Sequence, residues 1–181
     1  MMNEWGIPTV YLESLLYNYL KRLDEKGEFV PSCAIAGGIT LEDHIFKALA
    51  LGAPYVKAVC MGRSTLTAAM VGKTHGRLIK DTYGDDREYQ DVMLSTFIGA
   101  EQLKERFGED FTRIPPSAIG IYTYYDRLAT GLRQLMAGER KFNLGLLSRD
   151  DLVSLTREAT EVSGITYVME ADAEEVKRIL G

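Results

Sequence analysis

Cysteine, clustered positive charge and long apolar runs are all scarce in this sequence, and each shortage removes a class of protein. Two cysteines, Cys33 and Cys60, make no disulfide framework. Both lie in apolar runs, where a free thiol packs as a small hydrophobe, and that role is expected ahead of a disulfide or ligand role. The 21 basic residues face 26 acidic ones for a net charge of -5, and no basic cluster exceeds a pair of neighbours. A nucleic-acid footprint is therefore not expected. No uncharged apolar run reaches the ~18 residues of a membrane helix. The opening "MMNEWGIPT" lacks the basic and apolar regions of a secretory signal, so the expected setting is a reducing cytoplasm.

What is present is a pair of glycine turns within "CAIAGGITLEDHIFKALALGAPYVKAVCMGRS", residues 33–64. Ahead of it, Leu12, Leu15, Leu16, Tyr19, Leu20 and Leu23 recur along one face of a helix predicted over residues 10–23. The run 29–36 is apolar without alternation, which predicts a short strand covered on both faces and stopped by Gly37 and Gly38. Thr40 and Asp43 have the spacing of a capping box. Ile45, Phe46, Leu49 and Ala50 supply the buried face of the helix that follows, and Gly52 its C-terminal stop. A second strand is expected over 55–61, ended by Gly62, and a third helix over 64–71, before the glycine-rich "VGKTHG". Strand, helix, strand, helix at this spacing predicts a parallel α/β unit with a right-handed crossover.

From about residue 85 the pattern turns helical. Tyr89, Val92, Met93, Phe97, Ala100 and Leu103 form the face of one helix, and Ile121, Tyr125, Leu128, Leu132 and Leu135 that of another packed along a neighbour. Ser148 with Asp151, and Asp172 with Glu175, mark two further helix starts, with "ITYVM" a short strand between them. The expected division is 1–84 as the α/β part and 85–181 as a helical extension.

A strand that ends in bare glycines and runs into a helix presents open backbone N–H groups, the outline of an anion site. Gly62 with Arg63 repeats the outline and adds a guanidinium able to grip phosphate oxygens. The plainer reading is that both glycine pairs only serve tight turns and that Arg63 pairs with an acid. "GKT" is not the end of a phosphate-binding P-loop, because Thr67 stands where that motif needs glycine. Lys73 and His75 read as solvent-exposed ahead of a phosphate contact, and His44 as a capping-region histidine. Lys57, mid-strand, faces either inward or an open edge. Asp85, Asp86 and Glu88 read as a solvated loop, and Tyr122, Tyr124 and Tyr125 as packing, with Tyr125 on the buried face.

"GGITLEDHIFKALALGA" and "MGRS" resemble the last two strand-helix units of the FMN-dependent (β/α)8 barrels, specifically the FMN-binding glutamate synthase domain. The resemblance covers about residues 5–78 and is specific from Ala34 to Ser64. It implies an α/β fold that is the C-terminal portion of a TIM-type (β/α)8 barrel, its last two to three βα units, followed by a mainly helical extension. It implies FMN as cofactor, with Gly37, Gly38 and Ile39 around the phosphate and Gly62 and Arg63 completing the site. The implied role is the FMN-phosphate-binding segment of a glutamate synthase-like flavin oxidoreductase acting on 2-oxoglutarate. Such a segment is not expected to be active alone.

The match departs from the family in three ways. Ala36 stands where many members carry Asp or Ser. The interval from Gly52 to Gly62 is about three residues longer, which implies a bulged strand or a phosphate turn nearer Val59. The strands that would carry catalytic residues precede this segment, so no catalytic residue is assigned. Two cysteines cannot ligate an iron-sulfur cluster, and none is expected. Self-association, or a complementary chain supplying the remaining strands, is the expected partner; nucleic acid and membrane are not. The alternative reading is a non-catalytic phosphate-binding or helical interaction module that docks to a partner chain.

Overall fold

The computed structural model describes residues 6–84 and 87–181, without the side chain of Arg87. Helices run over Thr9–Glu25 (α1), Glu42–Leu51 (α2), Arg63–Tyr83 (α3), Arg87–Thr96 (α4), Ala100–Phe107 (α5), Pro116–Gly138 (α6), Arg157–Ser163 (α7) and Ala173–Leu180 (α8). The strands among the described residues are Cys33–Ala36 (β1) and Val56–Cys60 (β2), paired in parallel. A chain that is 66% helical with one two-stranded sheet is not the closing portion of a (β/α)8 barrel, and that expectation is corrected. Barrel closure requires about eight strands at a consistent tilt.

The chain divides into two compact units, Met1–Cys60 with Leu132–Gly181, and Met61–Gly131. Residue 84, where a division was expected, is the C-cap of α3 inside the second unit.

In the first unit, β1 and β2 align Cys33 with Val56 and then Ala34 with Ala58. Lys57 is thus one extra residue on β2, exposed at a local bulge, which answers whether it faces inward or an edge. The sheet is not covered on both faces. Ile35 and Val56 are its buried residues, while Ala34, Ala36, Ala58 and Cys60 are exposed. Cys60 therefore does not pack as a buried hydrophobe, and Cys33 is half-buried.

Helix α2 forms as expected, with Ile45, Phe46, Ala48, Leu49, Ala50 and Leu51 buried. Its start differs, because Leu41 is the N-cap and no side chain caps it; the Thr40 N–H donates to His44 Nδ1 at 3.3 Å. The apolar stripe of α1 is its inner face only in part. Leu20 is buried and Leu16 and Leu23 are half-buried, but Leu12, Leu15 and Tyr19 are exposed, and Glu13 and Ser14 are buried instead. Ser148 and Asp151 do form a capping box, but on a short 3-10 turn, Arg149–Asp151; α7 begins later, at the Thr156 cap. "ITYVM" contributes a single bridge, Ser154 to Tyr167.

In the second unit, α3 runs straight through "VGKTHG". Glycine costs about 1 kcal/mol in a helix interior, and close packing is what requires it here. A Cβ on Gly72 would lie 2.5 Å from the Pro116 carbonyl oxygen and 3.0 Å from the Gly120 Cα. A Cβ on Gly76 would collide with the Pro116 ring. Where one helix was expected over 89–103 there are two, separated at residues 97–99. Met93, Phe97, Ala100 and Leu103 still share one buried cluster with Ile79, Phe111 and Ile119. Tyr125 is exposed rather than packed inward, its hydroxyl 2.8 Å from Thr65 Oγ1. Asp85 and Asp86 lie outside the described residues; Glu88 is in the first turn of α4.

Candidate functional site

The site is a cavity of about 540 Å³ in the first unit, within the range that holds small ligands. Four short stretches build it. Thr9, Val10 and Glu13 come from the first turns of α1, and Gly37, Gly38 and Ile39 from the turn after β1. His44, Lys47, Ala48 and Leu51 lie at helical spacing on α2, and residues 152–156 with Ala159, Ser163 and Ile165 complete the wall. Most of the lining is apolar.

The glycine turn requires its glycines. Gly37 has φ 137° and Gly38 φ 71°, both in the region that disfavours side chains. The Gly37 carbonyl accepts a 2.9 Å hydrogen bond from Thr9 Oγ1, and a Cβ on Gly37 would strike that same oxygen. A Cβ on Gly38 would meet nothing within 4 Å. One glycine thus makes a close approach to α1, and the next leaves open backbone beside the cavity.

The charge around the turn is mixed. Glu42 and Asp43 occupy the first turn of α2, opposing the attraction of its N-terminus for an anion. Asp43 is held below the usual carboxylate range, chiefly by its 2.8 Å hydrogen bond from Lys47 Nζ. The cationic groups that line the cavity are therefore Lys47 and, when protonated, His44.

Glu13 is the residue that sequence reading missed. It is 2% exposed, lines the cavity, and its Oε1 has no hydrogen-bond partner among the described residues. Burial pushes its pKa up to about 7, with Arg149 pulling the other way. Gly52 is the C-cap of α2, as expected, with φ -89°, a conformation open to other residues, so close packing is what requires a glycine there. A Cβ there would lie 2.7 Å from Glu13 Oε1 and 2.3 Å from Val56 Cγ2.

Arg149 frames the same corner. Its guanidinium donates to the Leu51 carbonyl at 2.6 Å and to the Ser163 carbonyl, and it stacks on the Tyr17 ring. Burial lowers the Arg149 pKa.

Of the residues proposed for phosphate, Gly37, Gly38 and Ile39 line the cavity. Gly62 is the residue before α3 and Arg63 its first, two and three positions past the end of β2, and both belong to the second unit. His75 is exposed on α3, its ring edge-on to Phe97. No helix among the described residues is long and apolar enough to cross a membrane. No protein-family model, curated protein or solved structure matches the chain.

Proposed function

We propose that the first unit holds a phosphate-bearing cofactor of the FMN type, as the cofactor-binding segment of a glutamate synthase-like flavin oxidoreductase in the cytoplasm. The observation that carries this is the Gly37 and Gly38 turn, at positive φ, opening on a mostly apolar cavity of about 540 Å³. The open backbone at Gly38 suits phosphate oxygens, and Lys47, which bonds Asp43, lies with His44 on the same wall. The apolar remainder suits a planar ring. Bound flavin would supply electron transfer, while this chain binds and orients it.

Fluorescence titration with FMN and with riboflavin tests the phosphate site. FMN binding at least ten-fold tighter than riboflavin is expected; equal affinities would remove the phosphate from the turn. A second reading, a module that docks to a partner chain, is favoured by the exposed Leu12, Leu15 and Tyr19 stripe of α1. Light scattering that returns a concentration-independent monomer would count against self-association through it.

A further inference from the structure

On α3, in the second unit, Gly72, Gly76 and Ile79 turn inward, and the outer face carries Arg63, Leu66, Met70, Lys73, Arg77 and Lys80, all exposed. Their steps alternate between three and four residues, so they form one nearly straight stripe along the helix. Four of these six residues are cations, in a chain whose net charge is -5. The helix gains little from them. Arg63 stands in the first turn, where a cation opposes the helix dipole, and only Lys80, in the last turn, suits it. Lys73 with Arg77, and Arg77 with Lys80, are like charges at spacings that bring side chains together, and each such pair weakens a helix. The sole acid on α3 is Asp81, and among the described residues Arg63, Lys73 and Arg77 make no ion pair with it or with any other acid. Leu66 and Met70, in the same line, are 65% and 69% exposed.

We propose that this stripe is a docking surface for an acidic amphipathic helix of a partner protein. Its carboxylates meet Arg63, Lys73, Arg77 and Lys80, and its apolar residues cover Leu66 and Met70. Charge complementarity selects the sign of the partner. The alternating steps of three and four select a helix, because that spacing lets two helices lie side by side. A lipid surface fits less well: a helix that lies in lipid keeps its cations apart from its apolar residues, whereas Arg63 and Arg77 stand among the exposed Leu66, Met70, Val71 and Leu78. A nucleic-acid backbone would answer the cations and leave Leu66 and Met70 uncovered.

The test is fluorescence anisotropy of a labelled synthetic helix as long as α3, with glutamate and leucine at heptad spacing, titrated with the full chain. Saturable binding is expected, weakening as salt rises. The double variant Lys73→Glu, Arg77→Glu is expected to weaken binding about ten-fold and to gain affinity for the same peptide with lysine in place of glutamate. Both side chains are exposed, so the fold does not rest on them. Lys21→Glu with Arg22→Glu changes the net charge equally on the exposed side of α1, and that variant is expected to bind as wild type does. Equal losses in the two double variants overturn the proposal, since net charge alone would then explain the binding. Absence of saturable wild-type binding overturns it as well. Tighter binding to vesicles of equal parts phosphatidylcholine and phosphatidylserine, or to duplex DNA, abolished by the α3 variant, gives the stripe to lipid or nucleic acid and overturns the helix. Self-association of the chain that the α3 variant abolishes gives it to a second copy and does the same.

Discussion

The guanidinium of Arg149 lies over the ring of Tyr17, Cζ 3.8 Å from the ring centroid, and from there it ties three helices of the first unit together. The stacking holds α1, the bond to the Leu51 carbonyl closes the end of α2, and the bond to the Ser163 carbonyl closes α7. The last carbonyls of a helix have no partner within it, so a planar cation that serves two such ends satisfies acceptors that would otherwise be stranded.

Arg149→Lys keeps the charge but loses the planar fork, so one carbonyl and the stacked face go without a partner. A loss of about 2 kcal/mol is expected from the stacking and one charged hydrogen bond. Urea denaturation measures it. An unchanged midpoint would mean that the guanidinium only decorates the surface.

Glu13 makes stability depend on pH. Its folded pKa of about 7 lies above the unfolded value near 4.5, so the folded state binds the extra proton between them. The sign follows: stability is full below the unfolded value and falls as pH rises toward 7, by a total of roughly 3 kcal/mol. Glu13→Gln removes that titration. The variant is expected to match wild type near pH 4.5 and to exceed it in urea midpoint at pH 8. Parallel curves for the two proteins would show that the carboxyl ionises as freely in the folded chain as in the unfolded one.

Much of this was legible from residue pattern, and what was not has a physical reason. The apolar residues of α2 and the 93, 97, 100, 103 series are buried where periodicity put them, because those faces pack within the chain. On α1 the same rule held only in part. Leu20 is buried as its spacing put it, but Leu12, Leu15 and Tyr19 stay exposed, while Glu13 and Ser14 turn inward. A carboxylate on a helix reads as surface, so no pattern of apolar residues could place Glu13 in a cavity. Gly52 gave no separate signal, since a glycine at a helix end reads as a stop, and only its φ of -89° in the structure shows that close packing against Glu13 and Val56 is what requires it. At the Gly37 and Gly38 turn the glycines were legible because positive φ leaves few other choices. The fold class was not, since two strand-helix units look alike whether a barrel or a two-stranded sheet surrounds them.

Gly72 carries the same lesson in the second unit. In an exposed helix, alanine in its place would add about 1 kcal/mol of helix preference. Here the new methyl would stand 2.5 Å from the Pro116 carbonyl oxygen and 3.0 Å from the Gly120 Cα, both backbone atoms that no side-chain rotation can clear. The two segments must separate, which costs about 1 to 3 kcal/mol by the usual scale of overpacking. Separation also loosens the neighbouring contact at Gly120, whose own Cβ would lie 2.6 Å from the Ala68 carbonyl oxygen. Packing outweighs propensity, so Gly72→Ala is expected to lower the thermal midpoint, and Gly72→Leu to lower it further. Should Gly72→Ala raise the midpoint instead, the close crossing does not exist in solution, and the glycines of "VGKTHG" would be what they first resembled, a break in the chain.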